Sequence, residues 1–343
     1  MKKDNFAFLF FFTIFSLISI CVSLQSSAIA QKRTHERTGW EQEGLKGKVK
    51  ETVAVTQHIK KNEAGEEIAE SFMTIIHQFD ESGNLISLCK EMKNPDIEKK
   101  THLYDRNNNR IETRIFKDGK LSVRTKFSYN EDSQIIKSES FDSEDKLLGK
   151  NEHFYTDGRL LRELLYNKSS EMYGVIQYRY EQSRTIQTLF LHDKLDSKTI
   201  SDYDQHGNLT VMEKFDTAGR SIHKLVQRWS GSQNILSKTI YLQNALFERT
   251  EYVYNENNQL IEKSDFDKTG EFSFKYIYKY KEGKLLGIAF YKKDIPSTYT
   301  LCTYDAQGNK ISETKYDYQY SKVYEDYHLK KREYTGIKIQ YWE

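Results

Sequence analysis

Polar and apolar residues alternate along most of this chain. In "NLTVMEKFD" (208–216), Leu209, Val211, Glu213 and Phe215 point one way, and Thr210, Met212 and Lys214 point the other. In "KLSVRTKFSY" (120–129), Leu121, Val123, Thr125, Phe127 and Tyr129 share a face opposite Ser122, Arg124, Lys126 and Ser128. "EFSFKYIYKY" (271–280) sets Phe272, Phe274, Tyr276, Tyr278 and Tyr280 against Ser273, Lys275, Ile277 and Lys279. Side chains of a strand alternate between its faces, so period-two patterning predicts half-buried β-strands.

Turn signals separate these runs: "DESGN", "DRNNNR", "DQHGN", "DTAGR", "NENNQ", "DKTGE" and "DAQGN". A leading Asp or Asn can bond the backbone two residues on, and a late Gly or Asn tolerates positive φ. Such phrases close hairpins of four or five loop residues. The aromatic before each turn recurs as Phe79, Tyr104, Tyr129, Tyr155, Tyr180, Tyr203, Trp229, Tyr254, Tyr280 and Tyr304, at steps of 23 to 26 residues. Phe116, Phe141, Tyr166, Leu191, Phe215, Leu242, Phe266, Tyr291 and Tyr316 fall about halfway between. A constant period is the mark of a repeat architecture. Each unit of about 25 residues reads as strand–turn–strand–turn, and "YDQHGNLTVMEKFDTAGR" (203–220) spans one pair of turns with the strand between. Asp204, Gly207 and Asn208 form its first turn, and Asp216 and Gly219 its second; Asp305, Gly308 and Asn309 repeat the first near the end of the chain.

The expected fold is therefore all-β: tandem β-hairpin repeats in one long antiparallel sheet. A flat sheet of roughly 20 strands would be on the order of 90 Å wide, and open twisted sheets rarely exceed about ten strands without curling. The expectation is a sheet that coils, one turn of the coil covering the apolar face of another. The boundaries that follow are 1–30, a signal peptide; 31–44, a polar arm; 45–78, an N-terminal capping hairpin around "NEAGEE"; 79–316, the repeats; and 317–343, a Tyr-rich C-terminal cap.

Tyr203-Asp204-Gly207-Asn208-Leu209 and Tyr304-Asp305-Gly308-Asn309 resemble the YD repeat of Rhs-type proteins. The resemblance runs over about residues 70 to 320, and "GLKGKVKETVAV" (44–55) is similar to the entry segment of small secreted bacterial members. Large members resemble β-sheet shells enclosing a toxin domain, a role for which this chain is short. The resemblance implies the repeat fold and an association with surface interactions and carbohydrate binding.

The N-terminus adds a compartment. Lys2 and Lys3 precede the apolar run "FAFLFFFTIFSLISICVSL" (6–24), and Ala28-Ile29-Ala30 fits a signal-peptidase site, so cleavage would leave Gln31 first. The remaining membrane routes are an uncleaved signal or lipidation at Cys21, where Ile20 occupies the place of the small residue that lipidation needs. Removing residues 1–30 leaves 50 basic and 49 acidic residues. Interspersed, balanced charge excludes the basic face of a nucleic-acid binder. Two Pro against 24 Tyr and 19 Phe is the composition of a folded chain without linkers.

Candidate chemistry is sparse. His77, His102 and His153 each stand two residues before an anchor, but Phe127, Tyr178, Tyr252, Tyr278 and Cys302 fill that place elsewhere, which is a packing series. Most turns offer a single carboxylate, short of a calcium loop. Cys89 and Cys302 read as isolated packed thiols. No nucleophile elbow, zinc motif or phosphate loop occurs, and no insertion interrupts the repeat to build a catalytic site. No cofactor or metal is expected. The expected function is an exported, non-enzymatic scaffold binding a glycan or an envelope or surface protein; a secreted glycan hydrolase and an envelope immunity or assembly factor are the alternatives. With the anchors turned to the core, Tyr318, Tyr320, Tyr324 and Tyr327 in the tail are the aromatics best placed to bind.

Overall fold

The computed structural model describes residues 38–93, 97–321 and 326–343. The expected signal peptide with Cys21, the polar arm up to residue 37, and Tyr324 lie outside the described residues. Among the described residues, twenty-two strands run from Val49–Lys61 to Asp326–Tyr341. Each pairs antiparallel with its neighbours in sequence, and the first also pairs with the last, Val49 opposite Tyr341 through His58 opposite Glu333. The sheet is a closed barrel.

Closure corrects the expected open coil, and β-bulges supply its physical cause. Nine of the ten anchors stand where the register slips by one residue: at Gln78/Phe79, Leu103/Tyr104, Ser128/Tyr129, Phe154/Tyr155, Asp202/Tyr203, Arg228/Trp229, Val253/Tyr254, Lys279/Tyr280 and Thr303/Tyr304. The halfway series repeats the device, for example at Ile115/Phe116, Ser140/Phe141 and Lys214/Phe215. A bulge bends its strand and increases local twist. Repeated at nearly every hairpin, it curves the sheet until the edges meet. Twenty-two strands about 4.8 Å apart give a perimeter of at least ~105 Å.

The anchors also stitch neighbours together. The hydroxyls of Tyr104, Tyr129, Tyr155, Tyr180, Tyr280 and Tyr304 donate to the carbonyls of Leu85, Arg110, Ile135, Leu160, Leu260 and Leu285, at 2.8–3.0 Å. Trp229 does the same through Nε1, to the carbonyl of Leu209 at 2.8 Å. Each acceptor is the residue opposite the preceding anchor, or its equivalent, beside the bulge. The repeated Tyr is thus a hydrogen-bonding ring as well as an apolar one.

The turns are of two kinds. In the longer kind, Asp204 Oδ1 accepts from the backbone N–H groups of His206 (2.8 Å) and Asn208 (2.9 Å), Oδ2 accepts from Asn208 Nδ2 (3.0 Å), and Gly207 takes φ 81°. Asp216 holds the N–H groups of Ala218 and Arg220 in the same way, and Asp305 holds that of Asn309. The shorter kind has two residues at positive φ, as in Asp157–Gly158 and Gln243–Asn244, the primed turns that match strand twist. The Tyr155 unit, which lacks the long turn phrase, uses this alternative.

Turns talk to turns around one rim. Asn84 Nδ2 donates to Asn108 Oδ1, Gln134 Nε2 to the Gly158 carbonyl, Asn234 Nδ2 to Asn258 Oδ1 and Gln259 Nε2 to the Gly283 carbonyl. Asn309 occupies the corresponding place in the last turn of that rim, and there it meets the start of the barrel. Its Oδ1 accepts from Lys46 N–H (2.6 Å), and its Nδ2 donates to the Lys46 carbonyl (2.9 Å) and the Tyr341 hydroxyl (2.7 Å). Tyr341 in turn donates to Asp305 Oδ2 at 2.9 Å. Beside this seam a short helix, Gly39–Gln42, opens on the Thr38–Glu41 capping box. Its Trp40 lies against Gly83, where a Cβ would come within 2.5 Å of the indole, and donates from Nε1 to the Val49 carbonyl.

Phe79, Val49 and Asn309 are the largest fully buried side chains, so the tightest packing is at this rim. Elsewhere the wall is a single layer. Its anchor face is the drier one: burial, reinforced by Arg110 and Lys100, pulls His102 down to about 4, and burial raises Tyr155 and Tyr178. The opposite face carries an ion-pair lattice, including Lys150–Glu152, Lys137–Glu139, Arg114–Glu112 and Lys224–Glu213. Cys302 is buried and Cys89 partly so; both are free thiols, five strands apart around the closed ring.

Candidate functional site

The anchors and turn residues specify shape. Among the exposed aromatics, Phe154, Phe247 and Phe274 stand on three separate strands of the wall, whereas Tyr320 and Tyr327 lie together where two hairpins project beyond the rim opposite the seam. The first and last strands stop pairing at His58–Glu333, yet each continues. Strand Lys310–Ser321 leaves its other neighbour at Asp317 and goes on pairing with the last strand, Tyr318 opposite Leu329 and Tyr320 opposite Tyr327. Directly opposed residues share a face. Tyr318, Tyr320, Tyr327 and Leu329 therefore form one face of the ribbon, with Gln319, His328 and Lys330 on the other. Tyr327 packs edge-on to both Tyr318 (6.3 Å between centroids) and Tyr320 (5.2 Å). The face stays open: Tyr320 is 53% exposed, Leu329 45% and Tyr327 39%. These are three of the four tail tyrosines singled out from the sequence.

The sequence concealed a second cluster, on the drier face. Glu163 accepts from the Tyr178 hydroxyl at 2.5 Å and meets His153 Nε2 at 3.4 Å, and the Glu163 side chain is 16% exposed. Burial opposes ionisation, but hydrogen bonds from His153 and Tyr178 outweigh it and lower the Glu163 pKa. Burial first, and then the Glu163 charge, pushes Tyr155 up to about 12 and Tyr178 well above the ordinary tyrosine range. Strand pairing sets His153 opposite Glu163, whereas Tyr178 belongs to the next strand; nothing local in sequence announces the trio. The three histidines of the apparent ladder have separate partners: His102 Nδ1 pairs with Thr113 Oγ1 at 3.0 Å, His77 lies 3.7 Å from Glu43, and His153 meets Glu163.

The trio braces the wall. Glu163→Gln keeps the size but removes the charge, and should cost about 1–3 kcal/mol at neutral pH. Because the folded pKa is lowered, that contribution is present above about pH 4.3 and fades as pH falls through the folded value. Urea unfolding of the two forms should therefore differ at pH 7 and converge in acid; a gap that persists in acid would assign the loss to packing.

A shallow groove of about 460 Å³ is lined by Ser138, Ser140, Gly149, Lys150, Asn151 and Tyr166. Lys150 stands 4.0 Å over the Tyr166 ring there and pairs with Glu152, so its charge is already engaged.

No protein-family model matches the chain, and no curated protein matches it. Among solved structures it is similar to the crystal structure of TcdB2-TccC3-Cdc42, at 12% identity over 78% of this chain and 18% of that one, with a TM-score of 0.30. It is similar to the Photorhabdus luminescens Tc holotoxin pore at 12% identity over 75% and 19%, with a TM-score of 0.25. A porin-like protein from Bacteroides uniformis aligns over 85% of this chain and 96% of that one, at 8% identity and a TM-score of 0.32. The chain spans less than a fifth of the toxin chains. Likeness at this level carries no functional argument; the class that the fold defines is an all-β hairpin-repeat barrel.

Proposed function

We propose that this chain is an exported, non-enzymatic scaffold of the YD-repeat type whose barrel holds a binding hairpin away from its wall. The observation that carries the reading is the open aromatic face of Tyr318, Tyr320 and Tyr327 on a ribbon that leaves the barrel. Tyr rings contribute contact area at low entropic cost together with a polar tip, which suits saccharide and protein surfaces alike. The export signal read in residues 1–30 supports action at the envelope or beyond it. Both wall faces carry charge at mid-strand, such as Lys214, Lys263 and Asp265 on the anchor face and Arg114, Lys150 and Glu213 on the other. That favours a barrel in water over one facing lipid, which would keep one face apolar.

The test is a glycan and protein array probed with the chain recovered from an exporting host. Hits are expected, and Tyr320→Ala with Tyr327→Ala should weaken them at least tenfold while leaving the melting temperature unchanged. An array without hits, or hits indifferent to both substitutions, would remove the reading.

A further inference from the structure

The same ribbon has a second property. His328–Lys331 pair on one side only, with strand Lys310–Ser321, and Arg332 is the extra residue of a β-bulge that ends this stretch; on the other side the ladder to the first strand has already ended at Glu333. Among the described residues no strand covers that edge. A β-strand presents N–H and C=O groups to each side at alternate residues, so an uncovered edge is a template for another strand. Its charge decides which strand. His328 and Lys330 are exposed, with Lys331 and Arg332 next in line, and Lys61 stands at the end of the neighbouring hairpin. Arg332 is engaged with Asp317 and Glu333, and Lys331 lies over Tyr334, 5.3 Å from the ring centroid. Lys330 stands opposite Asp317, whose carboxylate Arg332 already engages, and is the basic group best placed to meet an incoming chain.

Two copies of this edge would bring like charges together, a standard guard against self-pairing. An acidic strand meets no such penalty. Its side chains would alternate as those of the ribbon do: residues on one face would extend the Tyr318–Tyr320–Tyr327–Leu329 surface, and residues on the other would lie beside His328 and Lys330. Resting on the binding role proposed above, we infer that the partner is a protein contributing an extended segment of alternating apolar and acidic residues, added by β-strand augmentation to the edge His328–Lys331. Main-chain bonds supply the affinity, and the two faces supply the register.

The probe is a short end-capped peptide alternating Val and Glu, followed by fluorescence anisotropy against the chain recovered from an exporting host. It should bind, whereas a peptide of equal composition with Val and Glu in separate blocks should bind at least tenfold more weakly. N-methylation of alternate amides should weaken the Val-Glu peptide similarly, because it removes edge hydrogen bonds and leaves the side chains. His328→Glu with Lys330→Glu, both on the surface, should transfer the preference to a Val-Lys peptide. Equal binding of the blocked or methylated peptides, a preference unmoved by the charge reversal, or no binding would each overturn the inference. So would a doubled mass in light scattering abolished by the same reversal, since the occupant would then be a second copy of the chain. Array hits that still depend on Tyr320 and Tyr327 alongside peptide failure would preserve the binding role and assign it to a ligand that stacks on the rings. Loss of both would remove the role itself.

Discussion

Asn309→Ala should open the barrel at its seam. The side chain is 1% exposed and holds both main-chain groups of Lys46 as well as the Tyr341 hydroxyl. Truncation removes the partner of the Lys46 N–H and C=O, which lie in part-buried hydrogen bonds, at up to about 1–3 kcal/mol each. The expected loss is roughly 2–5 kcal/mol, a large share of the stability of an ordinary domain. Its location is as telling as its size. Amide exchange should accelerate along Val49–His58 and Glu333–Tyr341, which form the closing ladder, and stay slow along Lys120–Tyr129 on a remote part of the ring. Uniform acceleration would mean that Asn309 stabilises the whole barrel without acting as a latch, and unchanged exchange would dismiss the latch altogether.

Alkali should produce the second large effect. Burial raises Tyr155 to about 12 and also raises Tyr178, Tyr203, Tyr252, Tyr280 and Tyr304. An anchor that donates its hydroxyl to a carbonyl cannot do so as a phenolate. A folded pKa above the unfolded one means that the native state keeps protons the unfolded chain releases. The corresponding stability is complete below about pH 10 and is lost as pH climbs toward the folded values. Tyr178 alone would contribute a slope of about 1.4 kcal/mol per pH unit across that window, and the more open rings a fraction of this. Urea midpoints should be level to about pH 9.5 and fall steeply by pH 11.5, with Tyr178→Phe flattening the fall. A flat profile to pH 11.5 would contradict the packing of the anchor ring.

Much of this architecture was legible in the chain. Tyr203 and Tyr304, with their Asp and Gly-Asn companions, mark strand ends and long turns where the fold has them. The alternation in "KLSVRTKFSY" gives the two faces of its strand. Closure was hidden, because a bulge inserts one residue without changing the repeat length; Ile111 and Ile136 look like ordinary alternation until the register with Leu103 and Ser128 is known. The latch was hidden for another reason. Asn309 reads as one more turn residue, and only three-dimensional proximity, across 263 positions, makes Lys46 its partner. The Tyr318–Tyr327 surface was visible as aromatics off the repeat frame, whereas its open edge depends on where a neighbouring ladder stops. The Glu163 trio left no signal, since charged residues at strand positions are common throughout the chain.

The seam also has a bearing on how the barrel comes to exist. Its first strand is made first, yet its second neighbour, Asp326–Tyr341, is the last of the twenty-two to be made. Local hairpins can form as the chain emerges, but the edge of Val49–His58 must wait for nearly the whole barrel to follow. Contacts so distant in sequence are slow to form, and an edge left open in the meantime invites wrong partners. Delivery across a membrane in an extended state would lengthen that wait. The hazardous interval for this protein is therefore the time between the first hairpin and the last, and a host that shortens it or shields the early edge should give more closed barrel from the same amount of chain.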